Sequence, residues 1–395
     1  MLTDRARAIK PSATLAISAK AKRLRAEGQN VIGFGAGEPD FDTPQHIKDA
    51  AVEALGRGET KYVFSGAAKL NQTIAEQTST WVGVDYGPDQ VLVSCGAKHS
   101  LYNLILATCQ AGDEVIIPSP YWLSYPEMVR LAGAEPVMVP LDESAGFALK
   151  GEALRAAVGP KTKLIIVNSP SNPTGAVFDE AALRAVIEVA AQRGLLIISD
   201  DIYDHLLYDG LQFRNVLMLE PGLKDQTIVV NGVSKTYSMT GWRVGWAVGP
   251  KEIIKAAASI QSHSTSDPSP FALAGALVGL QGPQEAAHKM AEEFDRRRQY
   301  IVGRLQAMAN VSVVRPKGAF YVFPNVSALM GRRYGERKIE NSVDMADFLL
   351  DEGKVAVVPG GPFGTEQHIR LSYAASMSDL EQGADRLERC FGLLA

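Results

Sequence analysis

The sequence predicts an α/β protein with a large domain built on a mainly parallel sheet and a smaller α+β domain. Short apolar runs alternate with stretches of helical periodicity through the middle of the chain, which is typical of a parallel sheet covered on both faces. The chain has 395 residues, which is too long for one ordinary hydrophobic core. The last third has a long charged helical stretch and then short strand signals broken by glycine and proline.

The predicted strands of the large domain are continuous apolar runs that end in polar or glycine residues. They lie at 91–96, 113–120, 163–173, 194–201, 227–235 and 242–249. Residues 285–308 are predicted to form one long helix. The predicted large domain is 42–290, and both chain ends, 1–41 and 291–395, form the small domain.

Composition narrows the class of function. The net charge is -4 and no long run carries one sign, which disfavours nucleic-acid binding. No segment has the apolar length needed to cross a bilayer, and the first twenty residues lack a signal-peptide pattern. Three cysteines and six histidines show no metal-ligand spacing. We therefore expect a cytoplasmic protein with small-molecule substrates, without a metal, nucleic acid or membrane as partner.

Polar residues at the strand ends are the candidates for chemistry, since ligands of open α/β sheets bind beyond the carboxyl ends of the strands. Lys235 follows Ser234 at the end of one apolar run. A desolvated lysine has a lowered pKa and can form an imine. Arg243, eight residues later, carries a planar fork suited to phosphate. A lone lysine would more often be an ordinary surface residue, so the surrounding pattern carries the prediction.

Asp200 directly follows a buried apolar run. A buried carboxylate needs a partner, and a protonated ring nitrogen would serve. Tyr203, three residues later, could bond to a phenolate of the same ligand. The ordinary alternative is a helix N-cap, for which Asp201 is the better candidate.

Two further strand ends suit ligand binding. In NSPSNPTG, proline breaks stop a helix and let Asn172 direct its amide at a ligand. In SCGAK, the segment Gly96, Ala97 and Lys98 lies before a predicted helix, where free backbone N–H groups form an anion site.

Trp122 and Arg370 complete the candidate residues. Trp122 could stack on a flat heteroaromatic ring, or it could be an ordinary packed core residue. Arg370 falls within a predicted strand of the small domain. A buried arginine requires an anionic partner, which could be an internal carboxylate or that of a substrate.

Together these strings resemble those of fold-type I pyridoxal-phosphate enzymes of aminotransferase class I/II, and most closely the bacterial Ib-type aspartate aminotransferases, which include aspartate/prephenate aminotransferases. The matching strings are KPSAT, GAGEPDFDTP, PYWLSYPEM, NSPSNPTGAV, SDDIYDHLLYDG, VNGVSKTYSMTGWRVGWAVGP, GAFYVF and IRLSYAAS. The resemblance runs from about residue 10 to the C-terminus. It implies pyridoxal 5'-phosphate as the cofactor, a seven-stranded sheet, and a homodimer with shared active sites.

The resemblance also implies residue roles. Lys235 would hold the cofactor as a Schiff base and transfer the proton, with Asp200 on the pyridine nitrogen and Tyr203 on the phenolate oxygen. The implied cofactor-binding residues are Tyr62 (from the neighbouring subunit), Gly96, Ala97, Lys98, Trp122, Asn172, Asp200, Tyr203, Ser234, Lys235 and Arg243. The implied substrate-binding residues are Lys10, Ser12, Thr14, Gly37, Lys98, Trp122, Asn172 and Arg370. Among these, Lys98, Ser12 and Thr14 would bind a distal carboxylate, and Lys10 matches a position linked to prephenate use.

The sequence departs from the family pattern in two places. After Tyr62 the family string resembles GIPELREAIAEKF, whereas this chain reads GAAKLNQTIAEQTSTW, so 67–81 differs. Asp267 precedes a proline where the family tends to have asparagine or serine. We predict an aminotransferase that moves the amino group of L-aspartate to 2-oxoglutarate and also uses prephenate. An elimination, replacement or cyclisation enzyme with the same cofactor remains the alternative, and an aminotransferase-like regulator domain is a third possibility.

Overall fold

The computed structural model describes residues 1–9, 11–63 and 67–395. The helices are α1 Asp4–Ala8, α2 Ala13–Ala26, α3 Gln45–Gly56, α4 Ala68–Val82, α5 Ala97–Thr108, α6 Ser124–Leu131, α7 Gly151–Ala157, α8 Glu180–Arg193, α9 Val216–Leu219, α10 Lys251–Ser262, α11 Pro270–Gln281, α12 Glu285–Ala307, α13 Ser342–Gly353 and α14 Met377–Gly392. The strands are β1 Ile32–Gly33, β2 Val91–Ser94, β3 Glu114–Ser119, β4 Glu135–Pro140, β5 Thr162–Asn168, β6 Leu196–Asp200, β7 Thr227–Gly232, β8 Gly245–Val248, β9 Tyr321–Val322, β10 Arg333–Tyr334, β11 Arg337–Lys338, β12 Val355–Ala356, β13 Val358–Pro359 and β14 Ile369–Ser372.

A seven-stranded sheet in the order β2-β8-β7-β6-β5-β3-β4 forms the centre of the molecule. All neighbouring strands from β7 to β4 run parallel, and only β8 is antiparallel to both of its neighbours. This confirms the predicted α/β class and the mainly parallel sheet. Strands β2, β7 and β8 are buried along their whole length, as expected for a sheet with helices on both faces.

Strand β4 was not among the predicted runs. Its sequence EPVMVP carries two prolines, and its residues alternate irregularly between buried and exposed. It lies at the edge of the sheet, where proline is tolerated because one side of the strand needs no ladder hydrogen bonds. An edge strand of this kind lacks the continuous apolar signal on which the other predictions depend.

Local signals account for the helix boundaries around the sheet. At α8, the Asp179 side chain accepts a hydrogen bond from the backbone N–H of Ala182, and Gly194 ends the helix in a left-handed conformation with φ 64°. Asparagine and aspartate caps of this type, and glycine at the C-terminus, are the usual helix boundary signals. The result is a short βαβ connection that returns the chain to the N-terminal end of β6.

The second part of the fold contains the three-stranded antiparallel sheet β13-β14-β9 and the parallel pair β1-β12. Helices α13 and α14 pack against each other and against these strands. Helix α12 runs without a break from Glu285 to Ala307, across the predicted boundary at 290. The limits 42–290 and 1–41 with 291–395 therefore stay a prediction.

Two kinds of feature are absent from the described ranges. No helix there is long and apolar enough to cross a membrane. No group of three or more histidine, cysteine, aspartate or glutamate residues in those ranges has the arrangement of a metal site.

Candidate active site

A cavity of about 390 Å³ lies beyond the carboxyl ends of the parallel strands. The predicted residues that line it are Ser12, Thr14, Gly37, Ala97, Lys98, Trp122, Asn172, Asp200, Tyr203, Ser234, Lys235, Arg243 and Arg370. They come from chain segments between the first helices and β14, so the fold brings both chain ends to the edge of the sheet. Ligands of open α/β sheets bind at this edge.

Lys235 lies shortly after β7 and extends its amine into the cavity wall. The Lys235 Nζ donates a hydrogen bond of 2.6 Å to the backbone carbonyl of Gly37. Burial lowers the pKa of Lys235 to about 8; the charge of Glu38 opposes this decrease, and nearby cationic groups add to it. A lysine with such a pKa is partly neutral near pH 7 to 8, and the neutral amine is the form that reacts with a carbonyl or accepts a proton.

Asp200, at the end of β6, is buried and only half satisfied. The Tyr125 hydroxyl donates a 2.5 Å hydrogen bond to Asp200 Oδ2, while Oδ1 has no partner. Burial raises the pKa of Asp200 to about 6, and the bond from Tyr125 works against that rise. Because buried polar atoms are almost always paired, the unpaired Oδ1 marks the position of a donor on a bound ligand.

The neighbouring Asp201 does not cap a helix, so the expectation for that residue was wrong. No helix begins directly after β6; residues 202–205 form a turn instead. The Asp201 carboxylate instead accepts hydrogen bonds from Ser199 Oγ at 2.6 Å and from Asn215 Nδ2 at 2.9 Å. These bonds tie β6 to the start of α9.

Two tyrosines of the site were not singled out from the sequence. Tyr125 contacts Asp200, and Tyr321 lines the cavity with its hydroxyl 3.0 Å from the Tyr203 hydroxyl. Burial raises the pKa of Tyr203 well above its usual range, and Tyr321 adds to this rise. Tyr125 lies in the string PYWLSYPEM and Tyr321 in GAFYVF. Proximity in sequence to Trp122 and to a glycine turn was the signal available for finding them.

Arg370, on β14, lies at the substrate side of the cavity. Its Nη1 donates to Asn172 Oδ1 at 3.1 Å, and its Nη2 donates to the carbonyl of Gly35 at 2.8 Å. The Arg370 Nε has no partner although it is buried. No carboxylate of the described ranges forms an ion pair with this guanidinium, so of the two anionic partners considered above, the internal one is absent. A buried and unneutralised arginine suits a carboxylate ligand.

The opposite end of the cavity is built to receive an anion. Gly96, just outside the lining, precedes α5 with φ 86°, and a Cβ there would clash with the Arg243 guanidinium. Arg243 donates to the carbonyl of Thr240 at 2.7 Å and to that of Cys95 at 3.3 Å, and no described carboxylate pairs with it. Backbone N–H groups at the start of a helix, together with a guanidinium, are a typical phosphate site.

Lys98 and Trp122 form the wall next to this anion site. The Lys98 Nζ lies 4.8 Å from the centroid of the Trp122 ring. Burial lowers the pKa of Lys98, and the charge of Arg243 lowers it further. The Trp122 ring packs edge-on against Tyr125 at 5.2 Å, which fixes its orientation beside the cavity.

Tyr62 and Asp267 do not line this cavity. Tyr62 is 81% exposed and does not line it. Lys10 lies outside the described residues. Asp267 is exposed at the end of the segment after α10, away from the lining, and partial burial raises its pKa while a bond to Gln261 opposes the rise.

Comparisons with known proteins agree with this geometry. Residues 29–387 match the family described as aminotransferase class I and II. The aspartate aminotransferase of Geobacillus stearothermophilus is 47% identical over 98% of both chains. An aspartate/prephenate aminotransferase of Cereibacter sphaeroides is 47% identical over 99% of both chains.

Solved structures give the same result. The aspartate aminotransferase of Rhizobium meliloti superposes with a TM-score of 0.95 over all of both chains, at 42% identity. That of Thermus thermophilus with maleate has a TM-score of 0.91 over 99% of both chains, also at 42% identity. The chain therefore belongs to the aminotransferase class I and II family. This confirms the predicted family, the enzyme class and pyridoxal phosphate as the cofactor.

Proposed function

We propose that this enzyme transfers the amino group of L-aspartate to 2-oxoglutarate, and that prephenate is a further acceptor. The observation that carries this proposal is the pair of cationic side chains at the active-site cavity. Arg370 comes from β14, whereas Lys98 comes from α5. All three substrates carry two carboxylates, so each can occupy both cations at once. Relatives named for aspartate and prephenate, and the Thermus structure with maleate, a dicarboxylate, support this choice.

The residues of the cavity fit pyridoxal phosphate by their donors and acceptors. The unpaired Asp200 Oδ1 would accept the ring N–H, Lys235 would hold the aldehyde carbon, and Arg243 with the amides of 96–98 would hold the phosphate. The residues assigned to its ring and phenolate oxygen are Trp122, Asn172 and Tyr203. When bound, the cofactor supplies an electron sink for the pair left at Cα.

The chain then contributes four actions. Arg370 holds the α-carboxylate through its planar fork, which fixes the direction of the Cα–H bond. The Lys235 amine, with a pKa near 8, would accept the Cα proton and deliver it to C4′ of the cofactor. The Asp200 carboxylate keeps a proton on the pyridine nitrogen. Lys98, with Ser12 and Thr14, would bind the distal carboxylate.

A single-turnover assay separates this function from an elimination or cyclisation reaction. The holoenzyme is mixed with L-aspartate in the absence of any 2-oxo acid. Transamination yields one oxaloacetate per active site together with a matching change in cofactor absorbance, and then stops until 2-oxoglutarate or prephenate is added. Continued release of a 2-oxo acid with unchanged cofactor absorbance would establish the alternative.

We also propose a homodimer in which Tyr62 of each subunit completes the site of the other. The exposure of Tyr62, away from the cavity of its own chain, supports this arrangement. Mixed dimers of Lys235→Ala and Tyr62→Ala subunits test it. Sharing leaves one intact site per mixed dimer, so activity should approach half that of wild type. If Tyr62 acts within its own chain, the mixed dimer cannot exceed half the activity of the Tyr62→Ala enzyme.

A cytoplasmic location is the last part of the proposal. Cys95, Cys109 and Cys390 are all free thiols, which suits a reducing compartment. Activity recovered in the cytosolic fraction of gently lysed cells is the expected result, and recovery in an osmotic-shock fraction would contradict it.

A further inference from the structure

A second cavity, of about 350 Å³, lies on another side of the segment that carries Lys235. Residues 231–237 contribute to both cavities, with Ser234 and Lys235 in the first and Thr236 and Tyr237 in the second. No lining residue is shared between the two. Helix α4, the turn after β6 and the connection from α11 to α12 form the other walls. The transamination chemistry described above uses none of these walls.

A buried carboxylate without a strong cationic partner belongs to this second cavity. The Asp204 side chain is 8% exposed. Its Oδ2 accepts a hydrogen bond from Asn231 Nδ2 at 2.8 Å, and its Oδ1 accepts one from the backbone N–H of His205 at 2.9 Å. The His205 imidazole is 3.8 Å away and half exposed. Within the described ranges, no lysine or arginine forms an ion pair with Asp204.

These neutral donors orient the carboxylate but leave its charge in place. Burying a charge is costly, and burial raises the pKa of Asp204, while the nearby His205 and the hydrogen bond from Asn231 oppose that rise. The negative charge is felt across the cavity, because it adds to the effect of burial that raises the pKa of Tyr237 to about 12. His205 is charged only when protonated, so a permanently charged cation in the cavity would add a partner for Asp204 that no described lysine or arginine supplies.

The walls around Asp204 are aromatic. Trp81, Tyr237 and Trp246 line the cavity, and the Trp81 ring stacks on Phe213 with the centroids 4.8 Å apart. The stack holds one tryptophan in place without the help of a ligand. Indole and phenol faces attract cations, and tryptophan does so most strongly. Aromatic walls beside a carboxylate are the usual arrangement for binding an ammonium group.

The stretch that departs from the family pattern builds this wall. Ile74, Gln77, Thr78 and Trp81 of α4 all line the cavity. Counted from Gly66, Thr78 stands where the family string has phenylalanine. Threonine is much smaller than phenylalanine, so it leaves volume between α4 and the sheet. The change in sequence thus coincides with the space and with one aromatic wall.

We propose that this second cavity binds a small organic cation, with its ammonium group beside Asp204 and its apolar body between Trp81 and Trp246. The site is separate from the transamination site and does not depend on which amino acid the enzyme uses. Its ligand class follows from one negative charge, aromatic walls and the absence of lysine and arginine from the lining.

Calorimetric titration of the holoenzyme with benzyltrimethylammonium tests the proposal. This probe has no N–H group and so cannot condense with the cofactor. Saturating maleate is present throughout to occupy the cationic active site. We expect one site per subunit, binding weakened at least about tenfold by Asp204→Asn because a buried charge partner is lost, and unchanged binding with the exposed control Glu152→Gln. Neutral benzyl alcohol should bind Asp204→Asn and wild type alike.

The variant Thr78→Phe keeps the test decisive if Asp204→Asn does not fold. It returns the family residue to α4 and fills the cavity, so saturable binding of the probe should disappear. Equal affinity of the probe for wild type and Thr78→Phe would overturn the proposal. The same holds if the probe binds only when maleate is left out, or if wild type shows no saturable binding at millimolar concentration.

Discussion

The two cavities beside the Lys235 segment have similar volumes but opposite charge. The active-site cavity, of about 390 Å³, is lined by Lys98, Lys235, Arg243 and Arg370 with a single carboxylate. The second cavity, of about 350 Å³, is lined by Asp204, His205 and aromatic rings. Cavity size therefore does not separate them. The charges on the walls decide which class of ligand each can accept, dianionic substrates and a phosphate in the first and an organic cation in the second.

The two buried aspartates show the same difference at the level of single atoms. Asp200 has one oxygen bound by Tyr125 and one without a partner, whereas both oxygens of Asp204 accept hydrogen bonds. The open oxygen of Asp200 suits one directed donor, such as a ring N–H. Asp204 has no lone pair reserved for a particular donor, so its contribution is an undirected negative charge, which suits an ammonium group. Two aspartates only four positions apart in the chain thus serve two different kinds of ligand binding.

Of the changes to the active-site cavity, loss of the Lys235 amine should have the largest effect on activity. Lys235→Ala is expected to reduce turnover of aspartate and 2-oxoglutarate by roughly 10⁴-fold or more, since one side chain supplies both the attachment point and the proton transfer. Lys255→Ala, on the exposed face of α10, is the matched control. Steady-state rates and borohydride trapping followed by mass measurement check this. A trapped cofactor adduct and full turnover in the variant would show that another residue has this role.

Neutralising Arg370, which we propose binds the α-carboxylate, should have the second-largest effect on activity. Arg370→Gln is expected to lower kcat/KM for aspartate by about 10²–10³-fold, because truncating one member of a buried charge pair costs several kcal/mol. The exposed Arg193→Gln is the control. Initial rates over a range of aspartate concentrations measure the effect. A loss of less than threefold would mean that the α-carboxylate binds elsewhere.

Lys98→Met tests whether this second cationic side chain binds the distal carboxylate of the substrate. We expect kcat/KM for aspartate to fall by about 10–100-fold, the value of a hydrogen bond to a charged group, while that for alanine changes little because alanine lacks this carboxylate. The backbone amide of Lys98 is retained, so phosphate binding should persist. Lys161→Met is the exposed control. Equal losses for both amino acids would contradict a role in substrate choice.

Tyr125→Phe should have the smallest effect, mainly on pH dependence. The Tyr125 hydroxyl lowers the pKa of Asp200 against the larger effect of burial, so removing it raises that pKa. Activity requires the ionised carboxylate, and the acid limb of the kcat/KM profile should therefore move to higher pH, with about tenfold lower activity at the acid end. The neighbouring Tyr121→Phe serves as the control. An acid limb at the wild-type pH in Tyr125→Phe would mean that this hydrogen bond does not tune Asp200.

Much of the fold and of the site was predictable because its signals are local. The strands β5, β6 and β7 are continuous apolar runs, and Asn172, Asp200 and Lys235 lie at or just beyond their ends, so the rule for parallel sheets placed them at one edge. Strand β4 and the turn at Asp201 were not predicted. Proline at a sheet edge and a carboxylate bonded to Asn215, fourteen residues away, leave no periodic or capping signal in the neighbouring sequence.

The sequence by itself determined the class of the fold, the family and most of the polar residues at the cavity, because apolar periodicity and motif strings are properties of adjacent residues. Only the tertiary structure decided how those residues are paired. It left Asp200 Oδ1 and Arg370 Nε without partners and connected Tyr125 to Asp200. It also placed the altered helix α4 against Asp204 to form a second cavity. Burial, charge neutralisation and hydrogen bonding depend on atoms that are distant in the chain, and therefore only the folded arrangement sets them.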